Sequence, residues 1–327
     1  MADDPRFPPS PAQPVPARAA VPAPVAALGD AAAWRYLEFF AARIRNPNTR
    51  RAYARACGRF LGWCGARGLA LGDIRPLDVG AYVESLARTR SAPTTKQQLA
   101  AIRMLLGWLA AGGILPANPA AEVRGPRHVV RVGRTPALDA VEWRRLFDAI
   151  PAATPRDLRD RALIATLTYG FARVGAALAL RVGDIEPRGA SWVLRLREKG
   201  GRQHAVPCHH ALAGALLAYI EGAGIAGDRG GFLFRAAKGR DGNALSERPM
   251  AQPDAWRMVR RRAAAAGIAA PIGCHSFRAT GITAFLDGGG ALERAQALAG
   301  HESPRTTKLY DRRAERLDQA EVERIRL

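Results

Sequence analysis

Residues 124–135, RGPRHVVRVGRT, hold four arginines and no acid, broken by two glycines and a proline. A stretch of that kind reads as an exposed basic linker. It therefore divides the 327-residue chain into two segments, each long enough to bury a core of its own.

The segment before the linker has helical spacing. From Ala31 to about Val123, Trp34, Leu37 and Phe40 or Ile44 share one face, and Tyr53, Phe60, Leu61 and Cys64 share another. Asn48 or Thr49 is placed to cap the second helix and Gly68 to stop it; a third follows Pro76 and a fourth runs from about Pro93 to Ala111. Residues 30–123 are thus expected to form a small four-helix domain. Residues 1–29 hold eight Pro and eight Ala with hardly a bulky apolar side chain, a composition that buries no core and is expected to be extended or disordered.

After the linker, residues 136–327 start with helices near 139–150 and 155–170 and another after Arg173. The period then changes. SWVLRLR at 191–197 alternates apolar and polar residues, EKGG at 198–201 supplies turn chemistry, and a second strand returns over 203–206, so a short hairpin is expected inside a helical domain. Helices resume at about 208–223, 253–266, 275–287, 291–299, 304–310 and 318–325. The expected class is mainly α with a small antiparallel sheet.

A net charge of +20 and a pI near 11.2 favour a polyanionic partner, nucleic acid first, although the Ala-, Gly- and Arg-rich usage of a GC-rich genome accounts for part of the arginine. Four scattered cysteines suggest no disulfide framework. No run of about 18 apolar residues could span a bilayer, and the acidic, proline-rich start is unlike a secretory signal. A soluble cytoplasmic protein with no membrane partner is expected.

Several residues can carry chemistry, and each has a plain structural reading when taken singly. In GCHSFRAT (273–280), His275 and Arg278 lie three apart on one helical face and can grip one phosphate, but such pairs are common by chance. In AGHESP (299–304), Gly300 ends one helix, Ser303 caps the next and Pro304 fills its first position, leaving His301 at the junction. Tyr310 follows nine residues later, and alone would be a packing tyrosine. Arg173 sits among small and apolar residues in TYGFARVGAALAL, where an unpaired guanidinium is expensive. Lys199, in the turn of the hairpin, is one of only four lysines against 45 arginines, and lysine alone of the two gives up a proton at accessible cost.

Taken together and in this order, Arg173, Lys199, His275, Arg278, His301 and Tyr310 resemble the catalytic set of the tyrosine recombinase (phage integrase) family. The resemblance covers about residues 31–327: PNTRRAYARACGRF (47–60) looks like the opening of the family's helical core-binding domain, residues from Pro136 look like its catalytic domain, and LYDRR (309–313) resembles integrases of mobile elements and plasmids. It implies a DNA recombinase that needs no cofactor and no metal. Arg173 and Arg278 would hold the scissile phosphate, His301 would add a hydrogen bond, His275 would serve the Tyr310 hydroxyl as base or positioning group, and Lys199 would protonate the leaving 5′ oxygen. The product would be a 3′-phosphotyrosyl enzyme. The resemblance further implies a specific duplex recombination site, a tetramer on two such sites, a final helix from about Asp318 docked on a neighbour, and an accessory directionality factor. Arg50, Arg51, Lys96, Arg124, Arg127, Arg131 and Arg134 are the candidate phosphate contacts, and Arg260, Arg261 and Arg262 either touch DNA or form a solvated basic face. Ala176 departs from the family, many of whose members carry an acid three residues after the first arginine.

Three other readings compete. A zinc site at Cys208-His209-His210 or Cys274-His275 lacks the regular paired spacing of such sites. A catalytically silent DNA-binding regulator would have little reason to keep all six groups. A relaxing enzyme of type IB topoisomerase kind would share the chemistry, and the separate four-helix domain favours recombination.

Overall fold

A computed structural model describes residues 21–128, 133, 135–197, 203–239 and 241–311. The chain forms two compact units, Met1–Val129 and Val130–Leu327.

The first unit is built from α1 (Ala23–Ala26), α2 (Asp30–Glu38), α3 (Pro47–Gly65), α4 (Pro76–Thr89) and α5 (Ala92–Ala111). A π-helical turn over Phe39–Arg43 extends α2 and directs Phe39 and Phe40 inward, beside Phe60, Leu61, Leu105 and Leu109. The sequence assigns no structure to residues 1–29, yet α1 lies within them and Val25 is fully buried in this core. One valine in a proline- and alanine-rich stretch has no period, so only the packing partner reveals it. The α3 cap is Asn46, whose side chain accepts from the amides of Asn48 and Thr49; it replaces the expected Asn48 or Thr49, because Pro47 occupies the first helical position.

The second unit contains α6 (Ala140–Asp148), α7 (Pro155–Tyr169) and α8 (Val174–Leu178), then β1 (Ile185–Arg188), β2 (Ser191–Arg197) and β3 (Gln203–Pro207). It continues with α9 (His210–Gly222), β4 (Arg235–Lys238), β5 (Ala244–Pro249), α10 (Gln252–Ala265), α11 (Cys274–Asp287), α12 (Leu292–Ala299) and α13 (Pro304–Lys308). Its centre is α7, whose Ala162, Leu163, Ile164, Ala165 and Leu167 are all fully buried, packed between α9 and α11. The second half of α7, from Ala162 on, is apolar on every side and belongs in the middle of the core, while its first half carries the charges Arg156, Asp157, Arg159 and Asp160.

The expected hairpin is present as β2 and β3, antiparallel with Leu194 opposite Val206. Two features exceed the expectation. Strand β1 adds to the outer edge of β2, and β4 pairs with β5 in a separate ribbon with a bulge between Arg235 and Ala237. Strands reading IEPR, RAAK and ALSERP carry too few alternating apolar residues to show a period of two. The mainly helical class with small antiparallel sheets is as expected. Among the described residues no helix is long and apolar enough to cross a membrane.

A buried ion cluster ties α7 to α10. Asp160 is 0% exposed; one carboxylate oxygen accepts from Arg159 and the other from Arg261 and Arg262, and Arg262 also reaches Asp157. Arg261 and Arg262 are therefore engaged with α7, a packing role that neither DNA contact nor a solvated basic face anticipates, although the Arg261 side chain stays 54% exposed. Arg260 remains exposed.

Candidate active site

Helix α11 supplies two of the expected groups. Gly273 precedes it, His275 lies in its first turn, and Arg278, one turn further in, reaches the last residue of α12 and the segment between α7 and α8. The approach is close because position 281 has no side chain: a Cβ there would fall 1.9 Å from the Thr168 carbonyl oxygen on α7. Arg278 is fully buried. Its Nη1 donates to the Phe171 carbonyl and its Nη2 to the Ala299 carbonyl at 2.7 Å.

Phe171 adopts φ 47°, the one positive value at a non-glycine among the described residues. The left-handed backbone is costly for a bulky side chain and persists only where its surroundings fix it. Here it ends α7 and turns the Phe171 carbonyl onto Arg278. Arg173 follows as the cap residue of α8, half-buried, and Ala176 is buried within α8.

Gly300, at φ 58°, stops α12 with the left-handed turn that glycine adopts without cost. The turn delivers His301, 6% exposed, whose Nδ1 lies 2.8 Å from Oγ1 of the fully buried Thr307 on α13. Ser303 precedes α13 but makes no side-chain cap, a correction to its expected role. Tyr310 follows this short helix, 9% exposed, with its carbonyl accepting from Thr283 Oγ1 at 3.3 Å. Gly133 donates to the neighbouring Leu309 carbonyl at 2.9 Å, so this residue of the expected linker is docked on the second unit.

These segments converge on the tyrosine hydroxyl. Tyr310 Oη lies 3.0 Å from Nε2 of His275, and the His301 ring lies nearly parallel to the tyrosine, 9° between planes and 5.9 Å between centroids. Burial raises the Tyr310 pKa, while Arg278, Arg173 and a hydrogen bond from Arg278 oppose the rise. Partial burial, then Arg278 and Arg173, hold His275 below its usual 6.5. Burial, followed by Arg278, Arg173 and His275, brings His301 down to about 3. Both imidazoles are therefore neutral at pH 7, each able to donate from one nitrogen and accept at the other.

Five of the six expected residues thus meet at one place. Lys199 lies outside the described residues, as do Arg131, Arg134 and the expected final helix. The remaining phosphate candidates belong to the first unit. Lys96, Arg124 and Arg127 are exposed, and Arg51 donates to Asn48. Arg50 is held internally, its guanidinium donating to the Ile44 carbonyl at 2.9 and 3.1 Å. His209 accepts from the Ala211 amide and stacks on Tyr169, 4.6 Å between centroids, and no group of three or more potential metal ligands occurs among the described residues. Sequence reasoning missed Thr307, Phe171 and Gly281. Only Thr307 left a trace, as a hydroxyl one turn before the tyrosine.

Residues 136–316 match the model of the phage integrase family, and residues 34–113 match that of the phage integrase N-terminal SAM-like domain. The chain is a member of the phage integrase family of tyrosine recombinases. It is therefore a site-specific DNA recombinase, an enzyme that cleaves and rejoins DNA. Among its relatives, "Tyrosine recombinase XerD" of Corynebacterium glutamicum is 32% identical over 275 residues, covering 81% of this chain and 87% of that protein. In fold it is similar to the XerH recombinase in a pre-cleavage complex with its difH substrate, at 19% identity and TM-score 0.62, covering 84% of this chain and 77% of that one. It is also similar to lambda integrase from a tetramer bound to a Holliday junction, at 20% identity and TM-score 0.62, covering 83% and 76% of the two chains.

Proposed function

We propose that this recombinase cuts DNA by attack of Tyr310 on a phosphodiester, forming a 3′-phosphotyrosyl link, and that it integrates or excises a mobile element. The observation that carries the chemistry is the 3.0 Å contact between Tyr310 Oη and a neutral His275 Nε2, beside the buried Arg278. Phosphoryl transfer fails in water because negative charge gathers on the phosphate oxygens, and fixed cations offset it. Arg173 and Arg278 supply that charge. A guanidinium has five N–H donors, so Arg278 keeps donors for a phosphate while its carbonyl contacts persist.

His275 Nε2 takes the phenolic proton as the Tyr310 oxygen bonds to phosphorus. The bond from phosphorus to the 5′ oxygen breaks, and Lys199 gives that oxygen a proton. His301, its Nδ1 facing the Thr307 hydroxyl, presents an Nε2–H to a phosphate oxygen. A 5′-hydroxyl from a second duplex then attacks the phosphotyrosine, releasing Tyr310. One phosphodiester replaces another, so neither a metal nor a nucleotide cofactor is consumed.

Two duplex sites and four protomers form the working assembly, a reading supported by the likeness to the lambda integrase tetramer. An accessory factor sets the direction of the reaction. The integrase-like ending LYDRR supports the mobile-element role. A plasmid test separates recombination from simple relaxation: two copies of the site selected from random-sequence DNA should recombine, and supercoiled DNA without the site should stay supercoiled. Relaxation of site-free plasmid with no recombination would overturn the reading.

A further inference from the structure

A second basic concavity lies at the other end of α7. It has a volume of about 280 Å³ and is lined by Arg156, Arg159, Arg257 and Arg261, with Asp254 as its one acidic wall and Met250 and Met258 in its floor. Arg156 and Arg159 stand in the first turns of α7, whereas the catalytic segment follows that helix's last residue, Tyr169. At 1.5 Å per residue, roughly 15 Å of helix separates Arg159 from Tyr169.

The ion cluster beneath it leaves this basin positive. Arg159 and Arg262 already neutralise the buried Asp160 and Asp157. Arg261 is an additional partner of Asp160, and its side chain remains 54% exposed. Arg257 pairs with Asp254 on the rim, where it is 66% exposed. Burial lowers the Arg261 pKa; Asp160 opposes the fall, and Arg262, Arg156 and Arg159 add to it. Arg159 is buried and committed to Asp160 and the Arg235 carbonyl, and Arg156 reaches the Asp241 carbonyl at 3.5 Å, so the solvent-facing rim of the hollow is formed by Arg156, Arg257 and Arg261. The lining carries more guanidinium than carboxylate charge, and the planar guanidiniums of Arg156, Arg257 and Arg261 at its rim suit the oxygens of a phosphate.

We propose that this basin is a phosphate-binding site separate from the catalytic one. The phosphate belongs either to the backbone of bound DNA or to a free phosphate compound, and the chemistry of recognition is the same for both.

The test titrates inorganic pyrophosphate into the full-length protein by calorimetry, with sodium chloride matched in ionic strength. The double substitution Arg156→Gln/Arg257→Gln spares every contact to Asp160, and unchanged thermal melting checks its fold. The wild type and Arg173→Gln, which disables the catalytic phosphate site, should both show saturable binding, and the double variant should bind about tenfold more weakly. Absence of binding in the wild type, equal binding by the double variant, or loss of binding in Arg173→Gln would each overturn the proposal. The source follows from DNA binding by the same variants. If the basin holds a backbone phosphate, the slope of log affinity against log salt should shrink by about 0.9 for that contact. An unchanged slope together with weakened pyrophosphate binding assigns the basin to a free phosphate compound.

Discussion

The Phe171 carbonyl, turned by a left-handed backbone, accepts a hydrogen bond from Nη1 of the fully buried Arg278. Main-chain oxygens of Phe171 and Ala299 thus orient the Arg278 guanidinium. The orientation depends on how closely α11 approaches α7, and that depends on Gly281. Gly281→Ala places a methyl against the Thr168 carbonyl, which is backbone and cannot step aside. It should cost about 1–3 kcal/mol of stability and reduce strand cleavage more than DNA binding. Urea unfolding and single-turnover cleavage check both, and wild-type cleavage by Gly281→Ala would show that this approach does not set Arg278.

Thr307 is expected to fix the tautomer of His301. With the hydroxyl donating to Nδ1, the proton of the neutral ring sits on Nε2. Thr307→Val keeps the shape and removes the donor, and should slow cleavage about tenfold, the equivalent of one net hydrogen bond of about 1–1.5 kcal/mol. Thr307→Ser should retain the rate. Equal rates for Val and Ser would assign the residue to packing alone.

The pH dependence follows from His275. Only the neutral ring accepts the tyrosine proton, and its pKa lies below the ordinary 6.5. As pH falls, the neutral form is kept through 6.5 and lost only below the lowered pKa. Cleavage measured at subsaturating DNA, which reports the free enzyme, should therefore hold at pH 6.5 and decline on the acid side of it. A midpoint above 6.5 would mean that the groups around His275 favour its charged form.

Asp160 anchors the cluster between α7 and α10, and Asp160→Asn would leave Arg159, only 2% exposed, without its carboxylate. Breaking a buried pair from one side typically costs about 3–5 kcal/mol. The denaturation midpoint in urea should fall accordingly. A change within about 0.5 kcal/mol would show that water already screens these charges.

Much of the site was legible because its residues sit beside local punctuation. Gly300 stops one helix, Pro304 starts the next, and His301 and Tyr310 are placed by that grammar; His275 and Arg278 share a face through their spacing. What brings the two groups together was not legible. The Phe171–Arg278 contact joins positions 107 residues apart, and no propensity marks a phenylalanine for a left-handed turn. The Asp160 cluster links α7 to α10 in the same non-local way, so the arginines of α10 read from sequence as one basic face. Strands β4 and β5 were hidden because short ribbons of charged and small residues bury no alternating face.

The most direct measurement is the chemical nature of the DNA–protein bond. A nicked duplex carrying the selected site lets the short fragment that bears the new 5′-hydroxyl leave after cleavage and so traps the covalent complex. Protease digestion and mass spectrometry should find the peptide containing Tyr310 joined to a nucleotide through its 3′ phosphate, with no adduct from Tyr310→Phe. An adduct on another residue, a 5′-phosphate linkage, or trapping that survives Tyr310→Phe would contradict the assignment of Tyr310 as the nucleophile.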